Sequence, residues 1–267
     1  MKRIGLFITC IIVAIASIFV FKGKQEVNLI TPLKKNIEQQ EVEGIEIPAR
    51  LDNISELILK RKAYTVSYNP ENLIPNWVAW KLKAEYVEGN LPRYNKFMED
   101  ESIPKPRATL GDYYKSGWIR GHMFPAGDAK WDVQAMKESF LLTNICPQNA
   151  RLNSGDWNEI EIACRKWAKE YGEIYIVCGP VFYDRAHQTI GKNRVVVPEA
   201  FFKVILCLNP DIKAIGFVCK NISDNKTKEQ YVNSVDEIEK ITGMDFFPLL
   251  EDSIENIIES SADISLW

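Results

Sequence analysis

The side chains in this sequence best placed to exchange a proton at neutral pH are its two histidines. His122 lies in SGWIRGHMFPAGDAKW, residues 116 to 131, where Arg120, Gly121 and His122 sit together between Trp118 and Trp131. An imidazole with an ordinary pKa near ~6.5 accepts a proton at neutral pH, so it is the first candidate general base of any cleft. In an extended segment side chains two apart project to the same side of the backbone, so Arg120 and His122 face the same way. A guanidinium beside a neutral imidazole lowers the imidazole's proton affinity and offers a bidentate clamp for a phosphate or other oxyanion. The pair suits phosphoryl chemistry; the plainer alternative is a loop histidine hydrogen-bonded to backbone. His187, in YDRAHQTIG, has no comparable neighbours and reads as a surface loop residue.

A second group of polar side chains follows in LLTNICPQNARLNSGDWNEIE: Asn144, Gln148, Asn149 and Asn153, then Glu161. An asparagine carbonyl oxygen is a neutral hard donor that suits Mg²⁺, a cation that keeps several waters and often takes one or two protein ligands. Capping and turning the chain is the competing role, and it is the one expected of Asn144 and Asn149. On a single helix the eight-residue interval from Asn153 to Glu161 sets them about 12 Å apart on adjacent faces, from which both could look into one cleft with His122.

These residues need a frame, and strand-like stretches surround them. AYTVSYNP and NWVAWKLKAEYV alternate apolar and polar positions with β-branched and aromatic residues, and Asn69-Pro70 and Ile74-Pro75 break the chain between them. From Arg93 to Lys130 closely spaced prolines and glycines predict a long loop, of the kind that usually carries function. Between Ile103 and Trp131 it holds five basic residues against two acidic ones, a local excess within a chain of net charge −3. NSGDWNEIEIACRKWAKEY predicts one helix, capped by Ser154 or Asn153, with a buried stripe of Trp157, Ile160, Cys164, Trp167, Ala168 and Tyr171, ended by Gly172. EIYIVCGPVF, RVVVPEAFFKVILCL and KAIGFVCK predict three more strands, and SVDEIEKIT a short helix. Strands on either side of a central loop and helix predict an α+β domain with a mainly antiparallel sheet.

Composition sets the bounds. With 46% apolar and 26% charged residues among 267, the chain has globular values and enough length for a sizeable core. Its slight negative charge excludes a global basic field, though not a local one. Residues 1–24, MKRIGLFITCIIVAIASIFVFKGK, put Lys2 and Arg3 ahead of 18 uncharged, mostly apolar residues. That segment addresses the chain to a membrane, either as a signal peptide cleaved near Ala14-Ile15-Ala16 or as an uncleaved anchor. In both cases the rest of the chain is expected to be extracytoplasmic, whether secreted, periplasmic or anchored. A lipoprotein reading around Cys10 is weak, because too few apolar residues precede it. Residues 25–62 read as a polar tether with a short helix over ISELILKRK, and residues 63–267 as the globular part. The five cysteines beyond Cys10 contain no C-x-x-C pair, so no zinc site is readable; Cys178, Cys207 and Cys219 are expected as buried free thiols, with one disulfide left open.

The run SGWIRGHMFPAGDAKWDVQAMKESFLLTNICPQNARLNSGDWNEIE resembles the signature of the DNA/RNA non-specific endonucleases, the ββα-metal nucleases of the Serratia nuclease and mitochondrial endonuclease G type. PNWVAWKL, RYNKFMED and DYYKSG before it, and CGPVF, VPEAFFKV and ITGMDFFPLL after it, extend the likeness over residues 64 to 250. The resemblance implies a ββα-metal nuclease fold for residues 63–267, with helices packed on the sheet and a long active-site loop leading into the metal-site helix. It implies a Mg²⁺-dependent endonuclease, with Mn²⁺ as a substitute ion, that hydrolyses phosphodiester bonds along the DNA and RNA backbone. His122 then resembles the family's general base and Asn153 the single protein ligand of hydrated Mg²⁺. Glu161 resembles the acid that holds a water on that ion, Arg120 and Arg93 the arginines that stabilise the phosphate, and Asn144 a supporting asparagine. One position departs: the family's aspartate before R-G-H is Ile119 here. In the family that acid orients water around the ion, and outer-shell losses typically cost ~10–100-fold. The expectation therefore divides between an active nuclease and a catalytically weakened nuclease fold that binds nucleic acid. A third reading, a surface-anchored interaction protein with some other anionic partner, predicts no cleft shared by His122, Asn153 and Glu161.

Overall fold

Alternating β-branched and aromatic runs become the strands, and the computed structural model describes them within residues 43–52, 54–183 and 186–267. The leader segment and the tether up to residue 42 lie outside the described residues. In chain order the elements are β1 (Leu57–Lys60), β2 (Thr65–Asn69), β3 (Ile74–Lys83), α1 (Ala84–Val87), α2 (Leu110–Tyr113), β4 (Ile119–His122), α3 (Val133–Glu138), β5 (Ile145–Gln148), α4 (Ala150–Ser154) and α5 (Asp156–Tyr171). There follow β6 (Glu173–Val181), β7 (Thr189–Ile190), β8 (Val195–Val196), β9 (Ala200–Cys207), β10 (Lys213–Lys220), β11 (Val232–Asn233), α6 (Val235–Thr242) and α7 (Asp252–Glu259). Seven strands form one sheet in the order β1-β2-β3-β6-β9-β10-β11, antiparallel at every pairing. The α+β expectation with a mainly antiparallel sheet holds. No helix among the described residues is long and apolar enough to cross a membrane.

Three local expectations are corrected. The short helix expected over ISELILKRK is instead the edge strand β1, with Leu57 opposite Tyr68 and alternating half-buried and exposed residues. So short a segment cannot sustain a helix alone, whereas pairing with β2 satisfies its backbone. The compact unit accordingly runs from Gly44 to Trp267 and takes in the later part of the stretch read as tether. The tail of NWVAWKLKAEYV turns into α1 instead of continuing β3. The predicted single helix is two, broken at Gly155, whose φ of −106° and ψ of −109° fit neither helix nor strand. Its cap is neither Ser154 nor Asn153: the Asn149 side chain accepts from the backbone N–H of Arg151 at 3.0 Å and of Leu152 at 3.2 Å to start α4, and α5 begins at Gly155 without a side-chain cap.

Packing, not capping, holds α5. Its buried face is Trp157, Ile160, Ala163, Cys164, Trp167 and Ala168, while Tyr171 is half-buried. Trp157 meets Phe201 of β9 at 5.8 Å between ring centroids and Trp167 meets Phe217 of β10 at 6.3 Å. Each large apolar side chain buried this way is worth about 1.5–3 kcal/mol, so several outweigh one missing cap at about 1 kcal/mol. Side chains one step along the same strands face the other way. Phe202 packs on Phe246, and Gly216 leaves the space that Ile238 of α6 fills. Helix α5 therefore covers one face of the sheet and α6 the opposite face. Cys146, Cys164, Cys178, Cys207 and Cys219 are all buried thiols outside any disulfide.

Candidate active site

Strands β4 and β5 form their own antiparallel ribbon, with Ile119 opposite Gln148 and His122 opposite Ile145. Alternation places Arg120 and His122 on one face and Ile119 and Gly121 on the other. Phe97 touches both members of the first pair: the Arg120 guanidinium carbon lies 4.5 Å from its ring centroid and the His122 ring 5.2 Å. On the reverse face the Gln148 carboxamide lies against Gly121, where any Cβ would overlap it, so the ribbon closes only with glycine there. Ile119 stands beside Gln148, turned from His122.

The chain leaves β4 under the control of Asn144, which is fully buried. Its Oδ1 accepts from the Phe124 N–H at 2.8 Å, and its Nδ2 donates to the carbonyls of Phe124 at 2.9 Å and Ser139 at 2.8 Å. Those bonds fix the return of the loop onto β5, after which Asn149 opens α4 and the kink at Gly155 swings the chain into α5. The end of β4, the loops at residues 90–93 and 125–130, and helices α4 and α5 thus line a cleft of about 570 Å³, to which Arg93, His122, Lys130, Asn153, Asn158, Glu161 and Arg165 contribute. His122, Arg93, Asn153 and Glu161 meet there. Arg120 is not part of the lining; its guanidinium lies on Phe97, which does not line the cleft either.

His122 is 7% exposed and packs on Phe140 at 4.8 Å, the ring over which the Arg93 guanidinium also lies at 5.1 Å. Burial first and the Arg93 charge second lower its pKa from 6.5 to about 3, so the ring is neutral. Its Nε2 is enclosed with no hydrogen-bond partner, and the ring as a whole packs on Phe97 and Phe140. Nδ1 is therefore the nitrogen through which the ring can take a proton from the cleft.

Glu161 sits one and a half turns along α5 from its start, with a side chain 13% exposed. Burial pushes its pKa up to about 7 against the opposing charges of Lys203, Arg165 and Arg93. Arg165 is the link: it donates to Asp128 Oδ1 at 3.0 Å and stands 4.0 Å from Glu161, while Trp80 Nε1 on β3 donates to Asp128 Oδ2 at 3.1 Å. Beneath them the fully buried Lys203 ammonium lies over Trp157 at 4.4 Å and Trp80 at 5.1 Å. Asn153 makes no side-chain hydrogen bond among the described residues. A free carboxamide and a carboxylate lining one polar cleft are hard oxygen donors that fit a hydrated divalent cation.

Arg165, Asn158, Lys130, Asp128 and Lys203 escaped the sequence reading. For the first two a signal existed, because Asn158, Glu161 and Arg165 recur at three- and four-residue spacing beside the apolar stripe. For Lys203, a lysine within an apolar strand run, burial between two tryptophans is set by the sheet and leaves no local mark. His187 is half-buried, with Nδ1 3.1 Å from Glu199 and its ring 4.6 Å from Phe182, outside the cleft.

This geometry has relatives. The mitochondrial nuclease EXOG of Danio rerio is 38% identical, over 70% of this chain and 60% of its own length. Mitochondrial endonuclease G of Homo sapiens is 32% identical over 70% of this chain and 68% of its own, and a nuclease of Nostoc sp. 31% identical over 81% and 82%. A crystal structure of an EndoG/EndoGI complex superposes with a TM-score of 0.70 at 29% identity, covering 74% of this chain and 88% of that one. The chain spans about 60% of the length of its EXOG relatives. Residues 45–253 match the DNA/RNA non-specific endonuclease pattern, and with that match and these relatives the chain belongs to the DNA/RNA non-specific endonuclease family.

Proposed function

We propose that the protein is a Mg²⁺-dependent endonuclease that hydrolyses phosphodiester bonds of DNA and RNA with little regard for sequence. The observation that carries this is the convergence of His122, Arg93, Asn153 and Glu161 on one cleft. His122 is a neutral base with one accessible nitrogen, and it removes the proton of the water that attacks phosphorus. Arg93 meets the charge that grows on the phosphate oxygens, and Lys130 on the same wall binds a neighbouring phosphate. Asn153 and Glu161 would hold the cation, and Arg165 keeps Glu161 in place. A bound divalent cation supplies Lewis acidity and stabilises the departing 3′ oxygen. Contacts to phosphate carry no base information, which is why both nucleic acids qualify as substrates.

The weakened-nuclease alternative rested on Ile119, and that side chain lies on the far face of β4 from His122. The geometry therefore favours activity. The N-terminal segment would deliver the domain across a membrane, as a removed signal or a retained anchor, for work on extracytoplasmic nucleic acid. The test is supercoiled plasmid and a structured RNA incubated with purified protein and Mg²⁺. Nicking that stops with EDTA, and a loss of ~10²–10⁴-fold in rate in His122→Ala, are expected. A His122→Ala protein that cuts as fast as its parent would remove the base from the scheme, and salt-sensitive DNA binding without any cleavage would establish the alternative.

A further inference from the structure

The opposite face of the sheet carries a second concentration of charge that the nuclease chemistry does not use. Asp236 and Glu239 lie one turn apart on α6, and Glu259 is the last residue of α7. One carboxylate oxygen from each stands within 4.8 Å of the other two. Glu259 is 2% exposed, and its Oε1 is buried with no hydrogen-bond partner. An ionised carboxylate at such depth needs a counter-charge, and without one the group keeps its proton. No lysine or arginine supplies one: among the described residues no ion pair reaches Asp236, Glu239 or Glu259, nor the neighbouring Asp245, Asp252 and Glu255. Burial first, and then the negative potential of Glu239, Glu255, Asp236 and Asp245, carry the pKa of Glu259 up to about 9, so a cation entering the site displaces its proton.

We propose that Asp236, Glu239 and Glu259 bind a divalent cation of the Ca²⁺ class, which ties α7 to α6 at a site remote from the cleft. The ligand set selects the ion. Ca²⁺ takes about six to eight oxygen ligands in flexible geometry and readily accepts several carboxylates, whereas Mg²⁺ demands a near-ideal octahedron, keeps most of its waters and usually takes only one or two carboxylates. Three carboxylate oxygens all within 4.8 Å of one another therefore suit the larger ion better than the smaller one. The frame is also held from one side, because Glu239 Oε1 accepts from the Phe246 N–H at 2.8 Å and so ties the segment between the helices to the site. The cation would bridge two helices and neutralise the one carboxylate that cannot reach water. Because α6 covers the face of the sheet opposite α5, filling this site leaves the nucleic-acid cleft untouched.

The measurement is thermal unfolding of the EDTA-stripped, full-length protein with CaCl₂ or MgCl₂ added, alongside calorimetric titration with Ca²⁺. Saturation at about 100 times Kd is expected to raise Tm by roughly 5–10 °C, with a smaller gain from Mg²⁺ at the same concentration. Asp236→Asn and Glu259→Gln should each remove that gain and the calorimetric site. Asn153→Ala, which cannot hold an ion in the cleft, should keep both. Asp236 is only half-buried, so its variant serves if Glu259→Gln fails to fold. The proposal is overturned if Ca²⁺ does not move the Tm of the parent protein, if the gain survives in Asp236→Asn, or if it vanishes in Asn153→Ala, which would place the ion in the nuclease cleft.

Discussion

At the scale of the residue, one imidazole carries two separable consequences. Its pKa is held down to about 3, first by burial and then by Arg93, against 6.5 when free. The group thus stays a proton acceptor at any pH near neutral, and its acidic limb falls far below the working range. The same depression has a cost in acid. Between pH ~6.5 and ~3 the unfolded chain binds a proton that the folded one refuses, so stability falls as pH falls through that window. At ~1.4 kcal/mol per unit, the parent should lose about 3 kcal/mol more than His122→Gln between pH 7 and pH 4. Denaturant unfolding of both proteins at the two pH values reads the difference, in which their common carboxylates cancel; equal losses would mean the ring is already protonated in the native state. Ile119 gives the converse test. Its side chain is turned from the cleft, so Ile119→Asp should raise kcat/KM by less than 10-fold; a larger gain, of the size expected for restored outer-shell support, would show that an acid there reaches the ion after all. His122 and Glu161 stood out in the sequence because few residue types can do the work proposed for them. Arg165 was not, since an i,i+4 pair on a helix looks the same whether it faces solvent or a catalytic cleft.

At the scale of the element, the site depends on a break that periodicity conceals. A glycine inside an apolar repeat reads as a small cost to one continuous helix, and on such a helix Asn153 and Glu161 stand on adjacent faces. The kink at Gly155 instead turns α4 relative to α5, and both side chains line the same cleft. A Cβ at position 155 would stand 2.8 Å from the Arg151 carbonyl oxygen, closer than the backbone tolerates without shifting. Gly155→Ala should therefore move α4 and Asn153 with it. The expected outcome is a rise of about 10-fold or more in the Mg²⁺ concentration for half-maximal nicking, together with a stability loss of about 1–3 kcal/mol. Loss of stability with unchanged Mg²⁺ dependence would mean that Asn153 is not positioned by the kink. The strands themselves were legible from alternation, and the ribbon of β4 and β5 was legible only in part. Four residues among prolines and glycines look like loop until the partner strand is in place to accept their hydrogen bonds.

At the scale of the whole molecule, the proposed activity asks a protein of net charge −3 to hold a polyanion. Fields from exposed charges fade within a Debye length of about 8 Å at physiological salt, so attraction must come from the cleft itself and not from the global charge. The cations there are few. Arg93 and Lys130 line it and, among the described residues, enter none of the salt bridges that occupy Arg165, while Arg120 lies outside the lining on Phe97. Two or three phosphate contacts predict a slope of log Kd against log salt of about 2 to 3 for duplex DNA, hence a weakening of roughly 10–100-fold between 50 and 200 mM salt. The measurement uses cleavage-deficient His122→Ala in EDTA, so that neither turnover nor a competing divalent ion enters. Arg93→Gln and Lys130→Gln should each lower the slope by about 1. A slope of about 6 or more that ignores both substitutions would place the nucleic acid on another basic surface, and the cleft would then have to be reached by a path this geometry does not contain.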